Sequence, residues 1–334
     1  MKTLLVFVLS ALLLTGCGSA PEEVPQTTAP PQEIAVPIET IYTDTVVLDI
    51  QEPELEAELI IQPPEPVRPD ILKPEATGEQ VTQNDKAIID YSNIEDGYVM
   101  VLYTADKDCR LKVRVENKNV YTYNLTKGEW SVFPLTDENG IYQIRVYENT
   151  SGSSYALAMA AELEVTLADE FAPFLRPNQY VNFSESTRAV ELAWELTKDI
   201  ENPLGKVEAI YNFVVTELTY DNEKARTVQS GYIPDLDNIL EIKKGICFDY
   251  ASLMTAMLRS QGVPCKMVFG YTGGAYHAWI SVWTEDTGWV DGVIFFDGVA
   301  WQRLDPTFAS YDNQSDAIKK YIGDGKNYKE KYFY

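Results

Sequence analysis

Cys247, His277 and Asp305 are the residues of this 334-residue chain whose types and settings suit nucleophilic chemistry. Cys247 stands in Gly245-Ile246-Cys247-Phe248-Asp249-Tyr250-Ala251, and the residues after it predict a helix from Cys247 to about Gln261, closed by Gly262 with Pro264 beyond. A thiol at a helix start meets unpaired backbone N–H groups and the positive end of the macrodipole. Both favour the thiolate, which is the nucleophilic form. Taken alone, such a cysteine reads equally well as a small buried apolar residue. His277 is the only histidine in the chain. It opens a predicted strand, Tyr276–Trp283, on one face with Trp279, Ser281 and Trp283. One imidazole near one helix-start thiol is the minimum for a nucleophile and its general base. Asp305 ends a predicted strand, Trp301–Leu304, just before Pro306. A carboxylate there can hold one imidazole nitrogen and fix the tautomer facing sulfur, or it can merely cap a turn.

The elements that must bring these groups together are legible from periodicity. Ala189, Leu192, Ala193 and Leu196 share one face of a predicted helix, and Val207, Ile210, Tyr211, Val214 and Leu218 share one face of a second. Pro203 and Gly205 mark the break between the two. Strands are predicted at Lys266–Tyr271, Tyr276–Trp283 and Trp301–Leu304, so helices precede a sheet of antiparallel pattern in an α+β order. Upstream, short alternating runs at Tyr98–Tyr103, Leu111–Val115, Val120–Leu125, Trp130–Leu135, Tyr142–Tyr147 and Tyr155–Leu167 predict a small all-β sandwich over residues 81–168. That region holds no catalytic cluster and reads as a spacer or recognition module.

Together the motifs resemble the transglutaminase-like superfamily, a papain-type group of cysteine acyltransferases and peptidases. Gly245-Ile246-Cys247, Gly262-Val263-Pro264, His277-Ala278-Trp279 and Trp301…Asp305-Pro306-Thr307 follow one another in that superfamily's order, over roughly residues 173–311. The resemblance implies a papain/transglutaminase-like core, a helix bundle packed on an antiparallel sheet, within residues 173–334. It implies Cys247 as nucleophile, His277 as base and Asp305 as orienting acid, with Tyr220 as an oxyanion donor by analogy. The implied reaction is acyl transfer through a Cys thioester, ending in hydrolysis or transamidation. The β-rich region also resembles that found ahead of this domain in secreted lipoproteins of low-GC Gram-positive bacteria.

The first 80 residues suggest a location. A basic start, the apolar run Leu4–Leu14 and small residues before Cys17 describe a secretory signal peptide over residues 1–16. Leu14-Thr15-Gly16-Cys17 resembles a bacterial lipobox, which implies lipidation of Cys17. Residues 18–80 hold 11 of the 18 prolines and 14 Asp and Glu against 2 Lys and Arg. Residues 17–80 therefore read as a disordered, acidic, Pro-rich linker, with a reach on the order of 100–200 Å. The expected setting is extracytoplasmic, membrane-anchored through Cys17, facing an extracellular protein or a cell-wall peptide.

The net charge of −24 argues against nucleic acid as a partner. One histidine and scattered carboxylates offer no zinc spacing, and neither a calcium loop nor a phosphate loop is present, so no metal or cofactor is expected. Four cysteines are too few for a disulfide scaffold. Cys265 reads as packed core, and a Cys109–Cys265 bridge is disfavoured. Beside the enzyme stands a second reading, a non-catalytic cell-surface binding or structural lipoprotein that keeps the fold. Oligomeric state is not legible.

Overall fold

The computed structural model describes residues 66–272, 274–285, 288–291, 294–296, 301–303 and 328–334. The signal segment, Cys17, most of the linker and Asp305-Pro306-Thr307 lie outside these residues. The described residues fall in one compact unit.

The first half is built from strands β1 (Val81–Gln83), β2 (Ala87–Asp90), β3 (Tyr98–Tyr103), β4 (Leu111–Glu116), β5 (Val120–Leu125), β6 (Ser131–Pro134), β7 (Gly140–Ser151) and β8 (Ser154–Val165). They form two four-stranded antiparallel sheets, ordered β1-β2-β3-β6 and β5-β4-β7-β8. Strict alternation makes one face of the second sheet apolar. Leu111, Val113 and Val115 of β4 are buried, as are Tyr142, Ile144 and Val146 of β7. Across the interior, the ring of Tyr123 (β5) meets Phe133 (β6) edge-on at 5.2 Å. The hydroxyl of Tyr103 (β3) donates to Glu148 (β7) at 2.8 Å. The all-β sandwich ahead of an α+β core is thus the observed architecture. Residues 66–80, read from sequence as linker, form no helix or strand but are tied down: the Glu75 N–H donates to Tyr98 Oη at 3.1 Å and the Gly78 N–H to Asp90 at 2.7 Å.

The second half runs α1 (Arg188–Thr197), α2 (Pro203–Glu217), β9 (Thr219–Tyr220), α3 (Asn222–Thr227), α4 (Leu236–Ile242), β10 (Lys244–Gly245) and α5 (Cys247–Ser260). Strands β11 (Cys265–Thr272), β12 (Ala275–Thr284), β13 (Gly288–Asp291), β14 (Ile294–Phe296), β15 (Trp301–Arg303) and β16 (Tyr328–Phe333) follow. Every residue of α5 from Asp249 to Ser260 is buried, because α1, α2 and α4 pack around it and β11 and β12 cover it. The covering sheet is antiparallel, in the order β13-β12-β11-β16. This is the helix bundle on an antiparallel sheet that the motifs imply.

Two local expectations change. Pro203 does not mark the break but opens α2, where its missing N–H costs nothing, while the Asn202 carboxamide oxygen accepts from the Leu204 N–H at 3.0 Å. Gly205 lies inside that helix, and a Cβ there would come within 2.8 Å of Ile200. No described helix is long and apolar enough to cross a membrane.

Candidate active site

Cys247 is the first residue of α5, and its position is set by the turn before it. Asp249, fully buried, folds its carboxylate back to accept the Ile246 N–H at 2.8 Å, one half of a capping box. That return explains the glycine two residues ahead of the cysteine. A Cβ on Gly245 would lie 2.6 Å from the Asp249 Cβ. The same carboxylate accepts from Lys224 Nζ at 2.6 Å and from the Tyr232 hydroxyl at 2.5 Å. Lys224 and Tyr232 are themselves linked at 2.6 Å. A buried charge without partners is expensive, so this carboxylate holds α3 and the following loop against the helix that Cys247 opens. Burial, then the hydrogen bond to Asp249, pushes the Tyr232 hydroxyl well above its ordinary value.

Tyr220 arrives by strand pairing. β9 and β10 run parallel with Tyr220 opposite Gly245, and the Asp221 N–H donates to the Gly245 carbonyl at 2.8 Å. His277 lies on β12 opposite Gly270 of β11. Its ring is nearly parallel to Trp279, 6.1 Å away, and Trp279 in turn meets Tyr328 of β16 edge-on at 5.1 Å. Gly270 is what permits that layer, since a Cβ there would fall 2.2 Å from the Lys329 carbonyl oxygen and 2.6 Å from the Trp279 ring.

Cys247, His277 and Tyr220 line one cavity of about 440 Å³. Its walls come from four places. Phe248 stands beside Cys247, and Phe269 and Tyr276 come from the sheet. Val228, Gln229 and Tyr232 come from the loop that Asp249 anchors, and Tyr180 and Tyr334 close the side toward the sandwich. Tyr180 meets Tyr334 edge-on at 4.8 Å and Phe248 at 5.7 Å, and Phe248 meets Phe269 at 4.9 Å. Burial pushes the Tyr180 hydroxyl up to about 12. Trp283 and Trp289 do not line this cavity and instead pack on the turn at Phe171 and Phe174.

The structure therefore brings three of the four sequence-derived residues to one place, and the fourth, Asp305, lies outside the described residues. Cys109, Cys247 and Cys265 are free thiols. Cys265 is fully buried, and burial pushes its thiol up to about 12, whereas Cys247 is partly exposed. Sequence reasoning missed Asp249, Lys224, Tyr232, Tyr180 and Tyr334. Only Asp249 carried a local signal, an acidic residue at the third helical position with glycine just ahead of the turn.

Residues 190–292 match the family model of the transglutaminase-like superfamily. This stretch is a transglutaminase-like domain, and both Cys247 and His277 fall within it. The chain is 26 % identical over 200 residues to the uncharacterized protein YebA of Bacillus subtilis (strain 168), covering 53 % of this chain and 27 % of that protein. It is 31 % identical over 68 residues to the protein-glutamine gamma-glutamyltransferase of Pseudomonas aeruginosa, covering 16 % of this chain and 10 % of that one. In both cases the match spans only a minor part of the relative's own length. The crystal structure of red sea bream transglutaminase aligns with a TM-score of 0.29 at 13 % identity, over 68 % of this chain and 53 % of that one. The domain type supports acyl transfer or peptidase chemistry in general terms.

Proposed function

We propose that this protein is an extracytoplasmic, cysteine-dependent acyl-transfer enzyme acting on protein or peptide amides. The observation that carries the reading is the single cavity shared by the helix-start thiol of Cys247, the chain's only imidazole at His277, and Tyr220. In the proposed cycle His277 takes the thiol proton and the Cys247 sulfur attacks the amide carbonyl carbon. The tetrahedral oxyanion is met by the Cys247 backbone N–H and the Tyr220 hydroxyl. The C–N bond then breaks, His277 returns the proton to the leaving amine, and a thioester remains. Water completes hydrolysis, or a second amine forms a new amide, and the thiol is regenerated. Asp305 is assigned the orienting role on the sequence resemblance alone. Anchoring through Cys17, on a long acidic tether at the cell surface, belongs to the same proposal and rests on the lipobox and linker.

The test is incubation of the full chain with a glutamine-containing protein and a labelled primary amine. Label incorporation identifies transamidation, and new chain termini identify proteolysis. Cys247→Ala is expected to abolish either product, and His277→Ala to lower it by about 10²–10⁴-fold. Undiminished turnover in Cys247→Ala would sink the proposal.

A further inference from the structure

The cavity beside Cys247 has a chemical character that the acyl-transfer reading does not require. Seven aromatic rings line it, and none of its described lining residues is Asp, Glu, Lys or Arg. This holds in a chain where 78 residues, 27 basic and 51 acidic, are charged. The Asp249 carboxylate, on the helix that Cys247 opens, is already engaged by Lys224, Tyr232 and the Ile246 N–H. The one side-chain amide on the wall, Gln229, donates to the Thr227 carbonyl at 2.8 Å. Two further wall positions, Val228 and Ile246, are aliphatic. The volume falls within the roughly 300–1,000 Å³ of small-ligand pockets, room enough for a large side chain.

Resting on the proposed function, we infer that the acyl donor is an amide whose carbonyl is flanked by an uncharged aromatic or large aliphatic side chain, which this cavity receives. The carbonyl must reach the Cys247 sulfur, so the group next to it has to enter the space that sulfur faces. A carboxylate there would lose its hydration among described lining residues that include no Lys or Arg. An ammonium would gain a cation–π contact with the rings but lose its hydration among described lining residues that include no Asp or Glu. An aromatic or leucine-like side chain sheds no polar hydration and gains from the burial of its apolar surface.

The experiment alkylates Cys247 in the full chain with four acetyl-Gly-Xaa chloromethyl ketones, where Xaa is Phe, Leu, Lys or Glu. The thiolate displaces chloride and leaves a thioether, so rates are read by mass spectrometry of the modified peptide without knowing the natural substrate. Phe and Leu are expected to react at least about tenfold faster than Lys and Glu. Val228→Asp, at a wall position already 38 % exposed and therefore tolerant of a charge, is expected to shift the ratio toward Lys by about tenfold. A fastest rate for Lys or Glu overturns the inference. Four equal rates that all collapse in His277→Ala overturn it too, while leaving the catalytic reading intact. If no probe outpaces the unfolded chain's thiol, the catalytic reading falls and takes this inference with it.

Discussion

Asp249 shows how much one side chain organises here. Its carboxylate caps the turn before Cys247, neutralises Lys224 and fastens Tyr232, so the helix that Cys247 opens and one cavity wall share a single anchor. Removing one partner of a buried pair leaves the other uncompensated. Asp249→Ala is therefore expected to lower unfolding free energy by about 3–5 kcal/mol in urea titrations, and Asp249→Asn by less because an acceptor for Ile246 remains. A loss no larger than that of a surface substitution would remove the anchor from the account. The cysteines make a second case at this scale. In the native protein iodoacetamide near pH 8 is expected to label Cys247 and to leave Cys265 unmodified until the chain unfolds, because burial holds the Cys265 thiol at about 12. Peptide mapping before and after denaturant reads both sites.

Elements are positioned by close approaches that single residues permit. Gly245→Ala sets a Cβ against Asp249 and is expected to cost about 1–3 kcal/mol, with a matching fall in the alkylation rate of Cys247. Strand β7 carries a different liability. Hydrogen bonds from Lys107, Tyr103 and Lys86 hold the buried Glu148 carboxyl at about 2, below its ordinary 4.5. A depressed carboxyl stabilises the fold fully above the unfolded value, and that stability disappears as pH falls through the folded value. The window is thus about pH 5 down to pH 2, with on the order of 2–3 kcal/mol at stake. Urea midpoints measured across this range should slope in the wild type and flatten in Glu148→Gln. Among the elements, long periodic segments were readable: α5 ends within a residue of its expected limit, and β3 and β5 match theirs. The short α3 and α4 were not, since each depends on an aspartate cap, Asp221 and Asp235, more than on apolar periodicity. Nor was β16, whose charged interior residues Lys329, Glu330 and Lys331 hide its pairing with β11.

At the scale of the whole molecule, the sandwich is part of the cavity's structure. Tyr123 of β5 stacks on Tyr180 at 5.6 Å and meets Tyr334 edge-on at 5.8 Å, and both of these residues line the cavity. Asn124 and Gln179 exchange two hydrogen bonds across the same junction, and the Thr136 hydroxyl donates to the Phe333 carbonyl at 2.9 Å. With aromatic packing and hydrogen bonds both crossing this junction, residues 63–334 are expected to unfold in one transition, with calorimetric and van't Hoff enthalpies equal. Two resolved transitions would show that the sandwich is an independent spacer. The sequence had suggested a spacer or recognition module, because residues 81–168 hold no catalytic cluster. The sandwich's contribution is the Tyr123 ring packed behind Tyr180 and Tyr334, two wall tyrosines that carry no chemical signature until they are placed.

Sequence alone picked out the candidate residues for the chemistry and, for Cys247 and His277, the kind of element that carries each. A Gly-x-Cys turn, a helix start and an alternating strand are local patterns, each written within a few residues, and the lone histidine is read from the composition. Tertiary structure decided what surrounds them. The carboxylate of Asp249 meets Lys224 from 25 residues away, Tyr180 comes from ahead of the domain's first helix, and Tyr334 follows directly on the strand that pairs with β11 at the sheet's edge. Those contacts depend on which faces pack together after collapse. The uncharged aromatic character of the cavity is therefore a property of the fold, although every residue that creates it is in plain view in the sequence.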